Sequence, residues 1–551
     1  MKLPIMLGIE NYLEAISKYY VDKTLLIRDI LETAFGGSVI ITRPRRFGKS
    51  LTLSMLEYFF TNEGDYRYAF ADKKIAEEEQ LCKTHMNQYP VIHLNMKDVY
   101  GSSLAEIKGS LADTLSMLIR RYSYLLDSNK LLDIEKSELR RYLEKTADDA
   151  LLFSFLRRLS IALYKHFGKK VIVLVDEYDA PIARLGDACP HEDAVEMLRP
   201  LYSNGFKGND CVALSVLTGV LHFSKESLFS GLNNPIDASL VDAFLHPYFG
   251  FTEEEVRKII AYYELPTNVD TLRRWYGGYN RLNGLELFNP WSIMNYALNR
   301  RLTPYWVNTG SNRLLKEIVA TLDATRLLDV VGKEGTSIYF IKEINYQNYA
   351  ANRNTLLSFL VQSGYLTVTS YRESQCQFDF PNEEITTLFE HEILSNGQRL
   401  DEDYASEIRR GLLEADTATL TTCLRDYVLS CLSYYDTPDE KAYQNLVTGM
   451  LAMLFTDYVV RSEVNVGRGR CDILVTPKAL HGVGMVLEIK QSNAKKEPSR
   501  TNLEKIAQSA LSQIKEKDYG EELSSRRCDK KIYYGLSFYQ KNVAIAVDVE
   551  E

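Results

Sequence analysis

The sequence lacks the residue spacings that mark common metal-binding and disulfide-rich classes. Its 551 residues include 8 cysteines and 8 histidines, which form neither a C-x-x-C pair nor an H-E-x-x-H motif. Structural zinc sites and disulfide frameworks depend on such spacings. The scattered cysteines therefore argue against both, and they are typical of the reducing cytoplasm, where we expect this protein to reside.

Long apolar runs are also absent. The longest purely aliphatic stretch covers residues 171–175, whereas a membrane-spanning helix needs about 20 predominantly apolar residues. At the N-terminus, residues 3–9 separate Lys2 from Glu10, and no small-residue cleavage site follows. We therefore expect neither a membrane span nor a secretory signal.

Basic residues are fewer than acidic ones. The chain has 65 Lys and Arg against 74 Asp and Glu, which gives a net charge of −9, whereas nucleic-acid binding usually leaves a basic footprint. Counted by segment, residues 436–551 carry 17 basic and 17 acidic groups, and residues 1–435 carry 48 and 57. The excess of negative charge lies entirely in the first segment, so the last segment is the less repulsive toward DNA.

The composition is that of a folded globular chain, with 45% apolar and 25% charged residues. At about 150 residues per domain, the length predicts three or four domains. Up to residue 234, short β-branched runs alternate with long helical stretches, which is typical of a doubly wound α/β sheet. These runs cover residues 39–42, 91–95, 171–175 and 212–218.

The first run leads into a candidate phosphate-binding loop. Gly48, Lys49 and Ser50 stand between this run and the helical stretch 51–60. A phosphate loop needs N–H groups at a helix N-terminus, a lysine that reaches the β- and γ-phosphates, and a hydroxyl for Mg²⁺. Arg43 occupies the position of the first glycine in the general G-x-x-x-x-G-K-[ST] pattern. The alternative interpretation is a helix start with a charged first turn.

Side chains at two other strand ends support the nucleotide interpretation. Asp176 would hold Mg²⁺ through water, Glu177 would polarise the attacking water, and Thr218 would sense the γ-phosphate. The alternatives are a core strand that ends in solvated acids and a Thr-Gly turn. The predicted nucleotide-binding residues are Arg43, Pro44, Arg45, Arg46, Phe47, Gly48, Lys49, Ser50, Asp176 and Thr218, with Glu177 as catalytic residue and Ser50 and Asp176 as metal ligands.

Three arginines, Arg43, Arg45 and Arg46, belong to this loop. They would add positive charge around the phosphates in the manner of an arginine finger. The alternative is a surface for a partner chain, which keeps a homo-oligomer open.

From about residue 251 to residue 433 the sequence is mostly helical and rich in tyrosine. Residues 356–363 have a helical pattern, Gly364 would end this helix, and a hairpin-like stretch reaches Phe380. A helix after Asn382 would complete a winged-helix-like unit. Such units bind DNA or dock proteins, and the scarcity of basic residues here favours docking or packing.

The last region, from about residue 437, predicts a small α/β domain with a second group of charged residues. Asp472 follows a G-R-G-R-C run, while Glu488 and Lys490 share one face of a later strand because strand side chains alternate. Two carboxylates on adjacent strands would hold Mg²⁺, and the lysine would orient or activate the water that attacks a phosphodiester. The same E-x-K triplet at residues 106–108 lacks this context and is interpreted as a helix surface.

Together these motifs resemble the bacterial family of predicted AAA-ATPase-like proteins fused to a PD-(D/E)XK nuclease domain. In that family the loop is also rich in arginine and lacks the first glycine. The resemblance covers nearly the whole chain and implies a P-loop parallel sheet followed by a restriction-endonuclease-like domain. It is carried by YVDKT at 20–24, RPRRFGKS at 43–50, DEYD at 176–179, SLFSGLNN at 227–234, FGFT at 249–252, WYGGY at 275–279 and YWVNT at 305–309.

The order of charged residues in this family implies roles for five C-terminal positions. The catalytic residues implied are Glu440, Asp472, Glu488, Lys490 and Gln513, with Asp472 and Glu488 as metal ligands.

Three further charged residues lie nearby. Glu463 is either an extra ligand or an ordinary strand-end acid. Arg468 and Arg470 are expected to face the phosphate backbone, with pairing to the acids as the alternative.

The sequence therefore predicts a P-loop domain at 1–250, a helical lid at 251–330, a winged-helix-like and helical connector at 331–435, and a nuclease-like domain at 436–551. The expected function is ATP binding and hydrolysis that regulates metal-dependent DNA cleavage, with ATP and Mg²⁺ as cofactors. The alternative is a nucleotide-controlled switch or assembly protein whose C-terminal domain binds nucleic acid without cleaving it. Two complete charged constellations disfavour a purely structural role.

Overall fold

A computed structural model describes residues 2–185, 191–221, 235–279, 285–306, 338–341, 353–388, 402–431 and 440–550, except for 6, 241, 373–374, 456, 468, 479–480, 493–497, 526–527 and 541. The SLFSGLNN motif, the last three residues of the YWVNT motif and Arg468 lie outside the described residues. The chain forms two compact units. The first contains residues 1–311 and 330–387, and the second contains residues 312–329 and 388–551. The finer division into four segments stays a prediction.

The first unit is built on a parallel sheet with the strands β1 Ser38–Thr42, β2 Val91–Asn95, β3 Val171–Asp176, β4 Val212–Gly219 and β5 Ile236–Ala238. Their order is β2-β3-β4-β1-β5. The predicted β-branched runs form the first four strands, because a parallel sheet that is covered on both faces selects such residues. The predicted α/β class of this unit is confirmed, and the short β5 is an addition to the predicted runs.

Helices cover this sheet on both faces. Neighbouring residues of β1 point to opposite faces, and Ile40 and Ile41 are both fully buried. Ile41 shares its core with Leu53, from the helix that follows β1. The helices are α1 Tyr12–Ile16, α2 Leu26–Ala34, α3 Lys49–Phe60, α4 Glu79–His85, α5 Leu104–Arg120, α6 Asp133–Leu143, α7 Asp149–Leu152, α8 Phe155–Phe167, α9 Ala180–Ala183 and α10 His191–Phe206.

Past residue 250 the first unit is mainly helical. The first helix there begins with a capping box, in which the Glu255 N–H donates to the Thr252 hydroxyl and the Thr252 N–H donates to the Glu255 carboxylate. Lys23 of the YVDKT motif forms an ion pair with the same Glu255 at 2.7 Å and ties the N-terminal segment to this region. The helices are α11 Glu253–Tyr263, α12 Val269–Tyr276, α13 Pro290–Asn299 and α14 Arg353–Gln362, and residues 383–388 are also helical.

A small antiparallel sheet accompanies α14. Its strands are β6 Ile338–Tyr339, β7 Thr367–Arg372 and β8 Gln375–Asp379, in the order β6-β8-β7. The helix, the glycine after it and the hairpin therefore follow in the predicted sequence order. The winged-helix-like interpretation of these elements stays a prediction.

The second unit contains a mixed sheet with the strands β9 Tyr458–Val466, β10 Gly469–Pro477, β11 Val483–Gln491, β12 Lys530–Tyr539 and β13 Asn542–Glu550. Their order is β13-β12-β11-β10-β9, with only the β11–β12 pair parallel. The helices are α15 Glu402–Glu414, α16 Thr417–Cys431, α17 Glu440–Leu454, α18 Arg500–Glu516 and α19 Glu521–Ser525. None of the helices in the described part of the chain combines the length and apolar character needed to cross a bilayer.

A buried carboxylate links α13 to the residues that follow the hairpin. Glu384 has no solvent exposure, and it accepts hydrogen bonds from the Ser292 hydroxyl at 2.8 Å and the Trp306 N–H at 2.6 Å. Burial raises the pKa of Glu384 to about 7, although these hydrogen bonds oppose the rise. The folded protein therefore retains a proton at pH values where an unfolded glutamate has lost it.

The substitution Glu384→Gln is expected to reduce the loss of stability that occurs as pH rises from 4.5 to about 7. Because the folded state binds more protons than the unfolded state between pH 4.5 and about 7, the wild-type free energy of unfolding falls as pH rises through this window. A shift of this size corresponds to about 3 kcal/mol. Glutamine keeps an acceptor for Trp306 without a charge, so the variant should be the more stable protein at pH 8 and match wild type near pH 4.

Thermal unfolding at the two pH values measures this effect. Glu383→Gln, at the adjacent and more exposed position, is the matched control and should keep the wild-type pH profile. Identical profiles for Glu384→Gln and wild type would contradict the titration of a buried carboxyl group.

Candidate functional site

The loop between β1 and α3 has the backbone geometry of an anion-binding turn. Gly48 is the N-cap of α3 with a φ of 87°, in the left-handed region that favours glycine. Lys49 and the half-buried Ser50 are the first two residues of the helix. The first N–H groups of a helix have no partners within it and favour a negatively charged ligand. The G-K-S triplet therefore lies at a helix N-terminus, as the sequence predicts.

Lys49 is buried inside this loop. Its ammonium donates to the carbonyl oxygens of Arg43 at 2.9 Å and Pro44 at 3.0 Å. Burial lowers the pKa of Lys49, and the carboxylates of Asp179, Glu177 and Asp176 oppose that shift. The ammonium is thus held on the loop in the field of these acids.

The acids at the end of β3 lie beside the hydroxyl at the end of β4. The Thr218 hydroxyl donates to Asp176 Oδ1 at 2.5 Å, and the Glu177 N–H donates to the same oxygen at 3.0 Å. β4 lies between β3 and β1, and the Arg43 N–H donates to the Gly219 carbonyl at 3.2 Å. Since the carboxyl ends of parallel strands meet at one edge of a sheet, these residues and the loop share that edge. We call Lys49, Asp176, Glu177 and Thr218 the loop site.

Glu177 is the more accessible of the two predicted acids. It is half-buried, has a φ of 50°, and its carboxylate lies 3.4 Å from the Arg184 guanidinium. Burial raises the pKa of Glu177, and the neighbouring Asp176 adds to the rise. A raised pKa suits a group that has to exchange a proton near neutral pH.

Asp179 is a buried residue of this site to which the sequence analysis gave no role. One carboxylate oxygen accepts the N–H groups of Val220 at 2.9 Å and Leu221 at 3.0 Å. Burial raises the pKa of Asp179, and the two N–H groups oppose this. Asp179 thereby fixes the chain just after Thr218. Its place in the D-E-Y-D motif was the available signal.

The Arg43 side chain does not project from the loop as expected. It has no solvent exposure, and its guanidinium donates to the carbonyls of Thr42 at 2.9 Å and Ala238 at 2.5 Å. The guanidinium carbon lies 5.2 Å from the centre of the Phe249 ring. Burial lowers the pKa of Arg43 to about 9. Arg43 therefore contributes a core side chain, and its backbone carbonyl is what contacts Lys49.

The remaining loop residues differ in exposure. Pro44 and Phe47 are buried, whereas Arg45 and Arg46 are exposed. The Arg46 guanidinium carbon lies 4.4 Å from the centre of the Trp291 ring, within the range of a cation–π contact. Arg45 and Arg46 are therefore the loop arginines that solvent reaches.

In the second unit, two carboxylates lie on adjacent strands. β10 and β11 are antiparallel with Ile473 opposite Leu487, a register that brings Asp472 alongside Glu488. The Ile489 N–H donates to Asp472 Oδ2 at 2.7 Å. Burial raises the pKa of Glu488 to about 8, and Asp472 adds to this rise. Burial also raises the pKa of Asp472.

The other predicted catalytic residues surround this pair. The Gln513 amide of α18 donates to Glu488 Oε1, and the Gln491 N–H donates to the carboxylate of Glu440 at 3.1 Å. Burial raises the pKa of both strand carboxyl groups, and the Lys490 ammonium opposes that rise. All five residues thus gather at one place. We call Asp472, Glu488 and Lys490 the sheet site.

Glu463 and Arg470 are engaged with each other. The Glu463 carboxylate forms ion pairs with Arg470 and with Lys441. Glu463 is therefore a paired strand acid rather than a free ligand, and Arg470 takes the pairing alternative rather than the expected phosphate contact. The Tyr519 hydroxyl donates to the Arg470 carbonyl at 2.8 Å and holds the strand there.

The other E-x-K triplet lies on the surface of α5. Glu106 is exposed and accepts hydrogen bonds from the Ser102 N–H and hydroxyl. Lys108 forms an ion pair with Asp149 at 2.7 Å. The interpretation of this triplet as a helix surface is confirmed.

The donor set of the sheet site fits a divalent cation. Glu488 Oε2 is buried and has no hydrogen-bond partner among the described residues. Mg²⁺ binds through one or two carboxylates and keeps waters or substrate oxygens as its other ligands. Within the described ranges no group of three or more His, Cys, Asp or Glu forms a metal cage. Two carboxylates, one of them with an unpartnered buried oxygen among the described residues, are the ligands that this site offers.

Two protein-family models match separate parts of the chain. Residues 6–229 match the family model described as predicted AAA-ATPase, and residues 438–547 match the PD-(D/E)XK nuclease superfamily. A protein of Azotobacter chroococcum mcd 1, described as an uncharacterized protein in the vnfD 5' region, is 30% identical over 408 residues. The alignment covers 71% of this chain and 70% of that protein.

In the absence of nucleotide, Mg²⁺ is expected to raise the thermal unfolding midpoint of the protein. A cation that binds only the folded state stabilises it by mass action, by about 3 kcal/mol at 100 times its dissociation constant. It also relieves the repulsion between Asp472 and Glu488. Calorimetry in Mg²⁺ and in EDTA measures the difference.

Two variants test the assignment of this metal response. Asp472→Asn should remove it, whereas Glu463→Gln should retain it, because the Glu463 carboxylate is already ion-paired on the same sheet. A wild-type Mg²⁺ response in Asp472→Asn would exclude Asp472 as a ligand.

Proposed function

Because this chain belongs to the family of predicted AAA-ATPases that carry a C-terminal PD-(D/E)XK nuclease domain, we propose that it hydrolyses ATP at the loop site and cleaves DNA at the sheet site. The observation that carries the proposal is that one chain assembles both charged sites. ATP and Mg²⁺ are the cofactors of this proposal, and DNA is its macromolecular substrate. ATP binding is proposed to regulate the cleavage.

At the loop site each residue has a role that follows from its contacts. The N-terminus of α3 and the Lys49 ammonium attract the phosphates, and Lys49 exchanges the carbonyls of Arg43 and Pro44 for phosphate oxygens. Ser50 and Asp176 would hold Mg²⁺, which neutralises charge on the β- and γ-phosphates. Thr218 keeps the Asp176 carboxylate in one orientation through its hydrogen bond.

Glu177 is the proposed base at the loop site. Its raised pKa makes it a better acceptor for a proton from the attacking water. The carboxylate has to leave Arg184 to do so. Arg45 and Arg46, which are exposed, can contribute positive charge to a bound triphosphate or to a neighbouring copy of the chain.

At the sheet site, Asp472 and Glu488 would hold Mg²⁺, which polarises the scissile phosphate and its attacking water. Lys490 orients that water or stabilises the negative charge that develops on the phosphate. Gln513 fixes the Glu488 carboxylate, so the second oxygen of Glu488 stays directed into the site. Glu440 accepts the Gln491 N–H and thereby holds the end of β11.

A nucleotide-controlled switch that binds nucleic acid without cleaving it is the second candidate. The observation that favours it is the ion pair between Glu177 and Arg184, which engages the carboxylate of the proposed base. Tight MgATP binding with little turnover, and no cleavage of any DNA or RNA offered, would support this candidate over the first.

The proposed function is tested by two single variants of the full chain. Lys49→Ala should lower ATP turnover by at least about 100-fold, because it removes a charge aimed at the transferred phosphate. Asp472→Ala should abolish Mg²⁺-dependent cleavage of linear, circular and single-stranded DNA while ATP turnover persists. Glu488→Gln should abolish cleavage as well, and Glu106→Gln, in the surface E-x-K triplet, is its matched control and should leave cleavage unchanged.

Each loss has to be specific to its own assay. ATP hydrolysis that survives in Lys49→Ala, or DNA cleavage that survives in Asp472→Ala, would contradict the corresponding assignment. Loss of cleavage in Glu106→Gln would show that the two E-x-K triplets had been assigned the wrong way round.

A further inference from the structure

The phosphate loop is held from outside by other parts of the first unit. The Trp306 indole N–H donates to the Arg45 carbonyl at 2.9 Å, and Trp306 is 6% exposed. Pro44 packs against Gly364, where a Cβ atom would lie 2.7 Å from the proline Cβ. Only glycine allows this close approach. The carbonyls of Arg43 and Pro44 accept from Lys49, and the carbonyl of the next residue, Arg45, accepts from Trp306.

The next two loop residues are held as well. Arg46 lies over the Trp291 ring of α13. Phe47 meets Tyr279 at 4.9 Å between ring centres and 76° between ring planes, in a buried cluster with Leu287. Every residue from 44 to 47 thus has a contact with residues after 278.

Glu384 fixes the tryptophan that holds the loop. One carboxylate oxygen accepts the backbone N–H of Trp306 at 2.6 Å, and the other accepts the Ser292 hydroxyl at 2.8 Å. The Trp306 ring also packs on Tyr365 at 5.2 Å. A continuous chain of contacts therefore runs from the Arg45 carbonyl through Trp306 to Glu384.

The segment that carries Glu384 is seated closely on the helical region. The Asn382 amide donates to the Gly277 carbonyl at 2.7 Å. A Cβ atom on Gly278 would lie 1.8 Å from the Pro381 carbonyl oxygen, so no other residue fits there without a backbone shift. Residues 381 and 382, which directly precede the Glu384 helix, are therefore held against the helical region by a hydrogen bond and by close backbone packing.

We propose that Trp306 and Glu384 are positioning residues of the phosphate loop, which keep its carbonyls in the shape that receives nucleotide and transmit nucleotide binding to residues 353–387. The inference rests on the proposed ATP site and specifies which residues outside the loop respond to nucleotide binding there. Lys49 has to release two loop carbonyls to bind phosphate, while the adjacent carbonyl stays bonded to Trp306. A change in loop conformation on nucleotide binding should therefore alter the environment of the Trp306 indole ring.

Intrinsic fluorescence reports on this contact because the chain has 3 tryptophans, and two of them, Trp291 and Trp306, contact the loop. The third, Trp275, packs on Tyr276 in the helical core. Trp275→Phe removes the uninformative signal and should bind MgATP as wild type does. In this background, MgATP should change the emission, and adding Trp306→Phe should remove most of that change.

Calorimetric titration with MgATP measures affinity separately from fluorescence. Trp306→Phe keeps an aromatic ring but removes the indole N–H donor and part of the ring, so it should weaken binding by about 5-fold or more, where about 5-fold is the equivalent of one hydrogen bond. Glu384→Ala should weaken binding by a similar factor, and Glu384→Gln, which retains an acceptor for the Trp306 N–H, should restore it. A merely structural role would not produce both the rescue and the change in emission.

The outcomes separate this inference from the proposed function. If wild type binds MgATP but the emission is unchanged and the Trp306→Phe and Glu384→Ala affinities equal wild type, the positioning role is overturned and the ATP site stands. If wild type does not bind MgATP in calorimetry, the proposed ATP site fails and the inference fails with it. If Glu384→Ala does not fold, Trp306→Phe decides between the two results.

Discussion

Buried negative charge is the constraint on which both candidate sites depend. Desolvation raises the pKa of Glu177 and Asp179 beside the loop, and of Asp472 and Glu488 on the second sheet. Carboxyl groups buried next to one another cost free energy, which is offset only when a cation, a proton or a ligand supplies the missing partner. Lys49 supplies part of that charge at the loop. In both units, the negative charge that no cationic side chain offsets suits a divalent cation that binds a phosphate substrate.

The sequence predicted the strands that carry these groups, because runs of β-branched residues are selected wherever both faces of a strand are buried. In the last region the runs at 459–463, 471–475, 484–489 and 531–538 predict four strands. They leave out β13, since the turn between β12 and β13 lacks the usual Asn-Gly signal and instead places Gln540 at a φ of 49°. Asp176 and Thr218 lie at the carboxyl ends of β3 and β4, and Glu488 lies within β11 next to the strand of Asp472, because the position of a side chain along a strand follows from sequence order.

Side-chain partners could not be predicted in the same way. Nothing in the sequence distinguishes the fully buried Arg43 from the exposed Arg45 and Arg46. Burial of Arg43 depends on contacts with distant parts of the chain, namely the Ala238 carbonyl of β5 and the Phe249 ring. The pairing of Glu463 with Arg470 depends on the register between β9 and β10 and on a left-handed residue at Glu463. Local sequence does not specify either feature, so the arginine-rich loop was correctly located while the role of its first arginine was not.

We propose that nucleotide bound at the loop site controls DNA cleavage at the sheet site. The loop is not an isolated turn, because Trp306 bonds its backbone and Glu384 bonds Trp306. The most direct measurement is the rate of Mg²⁺-dependent cleavage of labelled linear DNA as ATP is titrated into wild type and Lys49→Ala. We expect the wild-type cleavage rate to depend on ATP, with half of its change reached at the ATP concentration that half-saturates ATP turnover. The cleavage rate of Lys49→Ala should not depend on ATP. A wild-type rate independent of ATP, or an equal response in Lys49→Ala, would contradict it.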